Sequence, residues 1–184
     1  LQFFPWWDFA WSRLLSGEIP LWNPLSGMGA PLIANYQTAL FYPPYWVGFI
    51  AYLFGGTAWM AWAHTLLVMG HLMTAGIGMM RLLKRLRLNS LAQVIGGLCY
   101  GAGGYLVSRA GFLSINAAAT WFPWVLLTVT RLSEEQKWDR TIPAGLAYGL
   151  LFLAGHAQSA WYVVLFSVCW MIWWSWVDAE EEGI

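Results

Sequence analysis

Thr141 to Val177 read TIPAGLAYGLLFLAGHAQSAWYVVLFSVCWMIWWSWV and contain no Asp, Glu, Lys or Arg. A helix that crosses a bilayer needs about 20 mostly apolar residues, so this stretch is long enough for two helices joined by a turn at Gly155. Three more stretches lack these charges; they cover residues 19–80, 88–108 and 110–130. Uncharged segments of such length predict a polytopic helix bundle in a membrane.

The composition also indicates an integral membrane protein. Apolar residues make up 59% of the 184 residues and charged residues only 10%, and the mean hydropathy is +0.54. A soluble domain carries about 25% charged residues, and a disordered chain combines low hydrophobicity with high net charge. Nine Lys and Arg balance nine Asp and Glu, which excludes a strongly basic nucleic-acid-binding protein. Cys99 and Cys169 lie in apolar runs, so neither a disulfide framework nor a metal site is predicted.

The expected fold class is all-α, a single transmembrane domain over residues 1–184 with about five spanning helices. The predicted spans are 57–80, 91–108, 114–132, 142–155 and 159–177. The apolar segment 45–54 would rise only about 15 Å, half of a bilayer core. We expect it to form a half-spanning or re-entrant helix that Gly55 and Gly56 close. Gly97 and Gly101 match the small-xxx-small pattern of close helix packing.

The basic residues predict the orientation of the bundle, which comprises residues 45–177. Four of them lie in residues 81–87 and three in residues 131–140, two spans later. The positive-inside rule assigns both clusters to the cytoplasm, and with them a cytoplasmic tail over residues 178–184. We interpret the charges on this side as ordinary loop charges. Residues 1–44 are then an extracytoplasmic loop.

This N-terminal segment is apolar and aromatic, unlike a solvated loop. Residues 5–16 place apolar side chains from Trp7 to Leu15 at helical spacing with Asp8 on the other face, which predicts an interfacial helix that Gly17 ends. The Pro and Gly residues that follow exclude long helices. Irregular backbone at membrane depth is tolerated only where protein or a water-filled cavity satisfies it. A cavity on the outer face is therefore expected.

Polar side chains converge on this predicted outer side. The acids Asp8 and Glu18 and the base His156 are candidate catalytic residues. Candidate substrate-binding residues are Trp22, Asn23, Asn35, Gln37, Tyr42, Arg109 and Gln158. A structural role stays open for each of these groups. The two acids could be solvated carboxylates at the interface, and the amides and His156 could form hydrogen bonds with the backbone of turns. Arg109 could anchor a helix at the interface.

His64 and His71 lie seven residues apart on one face of the first full span. Ionisable residues within a span are functional candidates, and these two could bind a tetrapyrrole or a metal ion. Neither has a carboxylate or Cys partner at ligand spacing. Hydrogen bonds within the bundle are therefore the favoured interpretation.

Five sequence strings carry a family resemblance. They are QFFPW at 2–6, GEIPLWNP at 17–24, GAPLIANYQTALFYP at 29–43, WFPW at 121–124 and AGHAQ at 154–158. Together they resemble the bacterial YfhO-like multi-spanning membrane proteins. Members of that family are much longer, which implies that this sequence comes from the N-terminal half of a longer chain.

The resemblance implies an activity similar to that of GT-C-type glycosyltransferases, polytopic enzymes that use polyprenyl-phosphate sugars at the outer face. It further implies the bacterial inner membrane as the location, with the lipid bilayer and a polyprenyl-phosphate-linked sugar as partners. An acid of the first outer loop acts in that class, and the family's acid is expected just ahead of Gln2, before this sequence begins. The histidine that often follows the position of Gly111 is Phe112 here.

Two other kinds of function stay open from the sequence. One is a structural or pigment-binding subunit of a membrane complex, with His64 and His71 as ligands. The other is a transporter of lipid-linked sugars, because irregular helices at the midplane also suit transporters. The sequence predicts no particular cofactor. A divalent cation stays open as a partner of the phosphate-linked donor.

Overall fold

The computed structural model of the chain describes residues 3–135 and 137–181. The chain forms helices over its apolar segments, and Gly, Pro and Asn residues separate these helices. The helices are α1 (Phe3–Leu15), α2 (Trp46–Arg85), α3 (Ser90–Gly101), α4 (Gly104–Ser108), α5 (Leu113–Glu135), α6 (Thr141–Leu153) and α7 (Ala157–Glu181). Three single 3-10 turns lie at Tyr36–Thr38, Pro43–Tyr45 and Trp138–Arg140. Two-residue strands β1 (Trp22–Asn23) and β2 (Ala30–Pro31) pair antiparallel. The all-α class is confirmed, since helix makes up 78% of the structure.

Helix α5 is the central helix of the bundle. Its most apolar window is 78% buried, against 22% for α2 and 17% for α7. It packs against α2, α6 and α7, whereas α2 and α7 expose apolar side chains such as Met73 and Ile172. In the described part of the chain, three segments are long and apolar enough to cross a membrane: Pro43–Arg85, Leu113–Glu135 and Ala157–Val177. This finding is consistent with a membrane protein.

Helix α2 is interrupted where the sequence predicts a break. Gly55 has φ −157° and ψ 27°, and Gly56 has φ 60° and ψ −148°. A positive φ is accessible to glycine because it has no Cβ to clash with the backbone. The predicted half-helix 45–54 and the predicted span 57–80 are therefore two arms of α2 joined at a glycine kink.

The prediction of one helix over residues 91–108 is wrong. Helix α3 ends at Gly101, and Gly103 has extended backbone angles, φ −65° and ψ 151°, before α4 begins. Glycine has low helix propensity, and a Cβ on Gly101 would lie 2.7 Å from the carbonyl oxygen of Leu72. The close approach of α3 to α2 confirms the packing role predicted for this glycine.

Both basic clusters lie at one end of the bundle, as the charge pattern predicts. Arg85 pairs with Glu134 and, at 3.3 Å, with Glu135. Arg140 contacts Glu135 as well, at 2.7 Å. We call this end of the bundle, where α2, α5 and α7 terminate, the basic end. The opposite end carries α1 and residues 17–45, and we call it the loop end.

The apolar face of α1 packs on the protein. The side chains of Trp7 and Trp11 are buried, and Trp7 Nε1 donates a hydrogen bond to the carbonyl of Thr38 at 2.9 Å. The predicted interfacial helix thus has Trp7 and Trp11 covered by the rest of the protein, and of its large apolar side chains Leu15 is the one more than half exposed. Gly17 follows with φ 79° and ends the helix as predicted.

Candidate functional site

The loop end brings together two segments that are far apart in sequence. The hydroxyl of Tyr36 donates a hydrogen bond to the carbonyl of Phe152, 116 positions later. Gly155 has φ 85°, and a Cβ there would lie 2.7 Å from Ala39 Cβ and 2.9 Å from Tyr36 O. The two segments therefore form one packed unit. We call it the loop–turn junction; it comprises residues 35–39 and 152–158.

Asn35 shapes the first half of this junction. Its side-chain oxygen accepts a hydrogen bond from the backbone N–H of Gln37 at 3.1 Å, and its extended backbone is typical of an N-cap. Thr38 Oγ1 donates to the carbonyl of Asn35 at 2.7 Å, and Ala39 ends the turn with φ 48°. The amide of Asn35 therefore holds the loop, while the side chain of Gln37 is exposed.

His156 shapes the second half and precedes α7. Its Nδ1 accepts a hydrogen bond from the backbone N–H of Ser159 at 3.2 Å, so the proton of the neutral ring lies on Nε2. Burial lowers the pKa of His156 below its ordinary value of 6.5, and the nearby positive charge of Arg109 lowers it further. The half-buried imidazole is thus a neutral N–H donor at pH 7, close to a guanidinium group.

We expect Arg109→Gln to raise the pKa of His156, because it removes a positive charge that disfavours the protonated ring. In the wild-type protein the unfolded chain takes up the proton first, so stability decreases as the pH falls below 6.5. The variant should show a smaller decrease. An NMR titration of the imidazole measures the shift, with Arg13→Gln as the control. Equal pKa values in wild type and Arg109→Gln would show that the two groups are not neighbours.

The two candidate acids lie on or next to α1. Asp8 Oδ1 accepts a hydrogen bond from Thr57 Oγ1 at 2.6 Å, just after the glycine kink of α2. Glu18 forms an exposed ion pair with Arg13. Among the described residues, no hydrogen bond or ion pair joins either acid to His156. The three catalytic candidates are therefore divided between α1 and the loop–turn junction.

Within the part of the chain that the structure describes, three further candidates for substrate binding make no contact that holds the loop–turn junction together. Trp22 is exposed and lies over Gly29, where a Cβ would come within 2.8 Å of its ring. Asn23 is buried, and its side-chain oxygen accepts the backbone N–H two positions later at 3.0 Å. Gln158 is exposed on the first turn of α7, where its amide donates to the hydroxyl of Tyr162 at 2.8 Å.

Tyr42 is fully buried in a network that the sequence does not reveal. Its hydroxyl contacts His71 Nε2 at 2.9 Å and accepts a hydrogen bond from Trp121 Nε1 at 2.9 Å. His71 Nδ1 lies 2.6 Å from the carbonyl of Leu67, so Nδ1 is the donor and Nε2 accepts from Tyr42. The hydrogen bonds predicted for His71 are confirmed. Tyr42 ties the loop end to α2 and α5, and no local pattern indicates partners 29 and 79 positions away.

His64 lies among aromatic rings of α1. The centroid of its ring is 5.0 Å from that of Phe4 and 5.7 Å from that of Trp7. Within the side chains that the structure describes, no group of three or more His, Cys, Asp or Glu could hold a metal ion. Pigment binding by His64 and His71 and the use of a divalent cation stay predictions from the sequence.

Comparisons of the chain with protein-family models, with curated proteins and with solved structures found no match. The resemblance to the YfhO-like proteins therefore depends on the five sequence strings alone. The structure packs parts of two of these strings, 29–43 and 154–158, against each other.

Proposed function

We propose that the chain takes part in glycosyl transfer from a polyprenyl-phosphate sugar to an acceptor on the outer face of a membrane. The observation that supports it most is the effect of Arg109 on His156 of the loop–turn junction, since the positive charge of Arg109 lowers the pKa of that imidazole. A departing phosphate is stabilised by a cation and by preorganised N–H donors. The guanidinium of Arg109 and the Nε2–H of His156 supply both. The exposed amides of Gln37 and Gln158 suit the hydroxyl groups of a sugar.

Asp8 is the carboxylate that we propose as the general base for the acceptor hydroxyl. Thr57 orients one of its oxygens through the 2.6 Å hydrogen bond. The preceding turn of α1 is tied to the junction, because the neighbouring Trp7 bonds the carbonyl of Thr38. Glu18 is not part of the proposed mechanism, since its carboxylate pairs with Arg13.

The proposed enzyme has five spans in the bacterial inner membrane. In this arrangement three of the spans are the membrane-length segments. Helices α3 and α4 together form the fourth span, and α6 forms the fifth. Helix α6 has 13 residues and rises about 20 Å, so residues of the flanking turns would complete its crossing. The basic end then faces the cytoplasm, and the loop end faces outward.

The proposal predicts that Asp8→Asn, Arg109→Gln and His156→Asn each lower kcat/KM for sugar transfer by about tenfold or more, equivalent to roughly 1.4 kcal/mol. The assay follows a labelled polyprenyl-phosphate sugar with the whole native polypeptide that carries this sequence. His156→Asn is informative because asparagine retains an N-cap acceptor for α7 while the imidazole is lost.

Glu18→Gln is the matched control. It removes a carboxylate that follows the C-terminus of α1 and already pairs with Arg13. We expect it to retain activity close to wild type. Full activity in all three of the Asp8, Arg109 and His156 variants would overturn the proposed roles. Absence of transfer from any polyprenyl-phosphate sugar by the wild type would overturn the function.

A further inference from the structure

An open cleft of about 980 Å³ lies at the basic end between α2, α5 and α7. Cations dominate its lining. The charged side chains that line it are Arg81, Lys84, Arg85, Arg87, Arg131 and Glu134. The sequence alone indicates only loop charges in this region, because it does not show that three helices leave a cleft between them.

Most of the positive charge of this cleft is unneutralised. Arg85 is paired with Glu134 and with Glu135, and Arg140 also contacts Glu135. Among the side chains that the structure describes, Arg81, Lys84 and Arg131 form no ion pair. Several cations that share one space repel each other, so an anionic ligand would relieve this repulsion.

The side chains are also positioned for one ligand. Arg81 and Lys84 lie three residues apart, on one face of the last turns of α2. The guanidinium of Arg81 lies 5.1 Å from the centre of the Trp124 ring, a cation–π contact that holds the group in place. Arg131 approaches the same cleft from α5. Arginine presents planar pairs of donors that match the oxygens of a phosphate.

A second, independent observation concerns hydrogen-bond donors. Trp174 lines the cleft from α7, and its buried Nε1 has no hydrogen-bond partner among the residues that the structure describes. The Nε of Arg85 is also buried, and no group in the described part of the chain accepts its hydrogen. Buried donors are almost always satisfied in proteins, and two such donors in the wall of one cleft indicate an acceptor that belongs there.

The apolar surroundings of the cleft indicate the rest of the ligand. The exposed sides of α2 and α7 carry Met73, Ile77 and Ile172 on the way to the basic end, and Trp173 and Trp176 lie beside it on α7. Tryptophan is typical of the level where lipid headgroups meet the hydrocarbon core. A ligand with a phosphate group and long alkyl chains would therefore satisfy both the cleft and its flanks.

We propose that this cleft is a binding site for the phosphate headgroup of an anionic membrane lipid, with Arg81, Lys84 and Arg131 as its charged ligands and Trp174 as a further donor. The acyl chains lie along α2 and α7. The site is at the opposite end of the bundle from the proposed glycosyl-transfer site, and the proposal does not depend on that function. Clusters of Lys and Arg at a membrane surface are typical of anionic-lipid recognition.

The test measures lipid retained by the purified whole native polypeptide in detergent, by native mass spectrometry with added phosphatidylglycerol or phosphatidylcholine. We expect retention of phosphatidylglycerol, and Arg81→Gln combined with Arg131→Gln should raise its Kd about tenfold or more. Lys137→Gln is the matched control, because it removes an exposed charge at the same end outside the cleft. Thermal midpoints in neutral detergent must match wild type for the comparison to stand.

Three outcomes would overturn the proposal. Equal binding by the wild type and the double variant would exclude the cleft as the binding site. An equal loss in Lys137→Gln would indicate attraction to net charge alone. Inorganic phosphate that binds as tightly as phosphatidylglycerol would identify a soluble anion, and not a lipid, as the ligand.

Discussion

Gly155→Ala is expected to lower the free energy of unfolding by about 2–5 kcal/mol, because two costs combine at this position. Its φ of 85° lies in the left-handed region, where a Cβ costs roughly 1–2 kcal/mol. The new Cβ would also lie 2.7 Å from Ala39 Cβ and 2.9 Å from Tyr36 O, and overpacking costs about 1–3 kcal/mol. The variant should separate the two halves of the loop–turn junction. Unfolding of the purified protein in detergent measures the loss.

Gly149→Ala supplies the control for this experiment. Gly149 lies within α6, and no atom lies within 4 Å of a Cβ added there. Replacing a glycine in a helix interior by alanine stabilises by roughly 0.5–1 kcal/mol. Opposite signs for the two variants are therefore expected. A Gly155→Ala protein that is as stable as Gly149→Ala would contradict the close packing of the turn on the loop.

Tyr42→Phe is the second change with a large expected effect, a loss of about 2–5 kcal/mol in unfolding free energy. The hydroxyl serves two nitrogens, the buried Nε2 of His71 and the part-buried Nε1 of Trp121. Each buried polar group left without a partner costs about 1–3 kcal/mol. Phenylalanine fills nearly the same volume, so the effect isolates the hydroxyl. Chemical or thermal unfolding in detergent provides the measurement.

A second variant tests the network itself. In the background of Tyr42→Phe, Trp121→Phe should cost less than it does alone, because its N–H has already lost its acceptor. Tyr162→Phe is the exposed control, since it removes only a surface hydrogen bond from Gln158 and should change stability by less than about 0.5 kcal/mol. Additive losses for Tyr42 and Trp121 would contradict a shared network.

The helices could be predicted from the sequence because charge gaps and glycine positions are local signals. The kink of α2 at Gly55 and Gly56 and the bounds of α5 follow from them. The sequence does not predict the break at Gly103, because the length of an apolar run says nothing about how closely α3 must approach α2. That approach depends on Gly101 meeting the backbone at Leu72, a contact between distant positions.

The candidate site is predictable only in part, for the same reason. Composition and topology assign Arg109 and His156 to one end, and in the structure the charge of Arg109 lowers the pKa of His156. Composition and topology do not show that Asn35 caps a turn or that Tyr42 is buried between helices, because these roles depend on partners elsewhere in the structure. The basic cleft is a further example. Its cations are visible in the sequence, whereas the space between α2, α5 and α7 is a property of the packing alone.

The most direct test of the central claim, that residues 35–39 and 152–158 form one site, is photo-crosslinking from position 36. Tyr36 is partly exposed and its hydroxyl contacts the carbonyl of Phe152, so p-benzoylphenylalanine can replace it with its reactive carbonyl near the α6–α7 turn. The same replacement at Leu91, an exposed residue at the start of α3, is the control. We predict that crosslinks from position 36, and none from position 91, map by mass spectrometry to residues 150–158. Crosslinks from position 36 that fall only outside this segment would contradict the account.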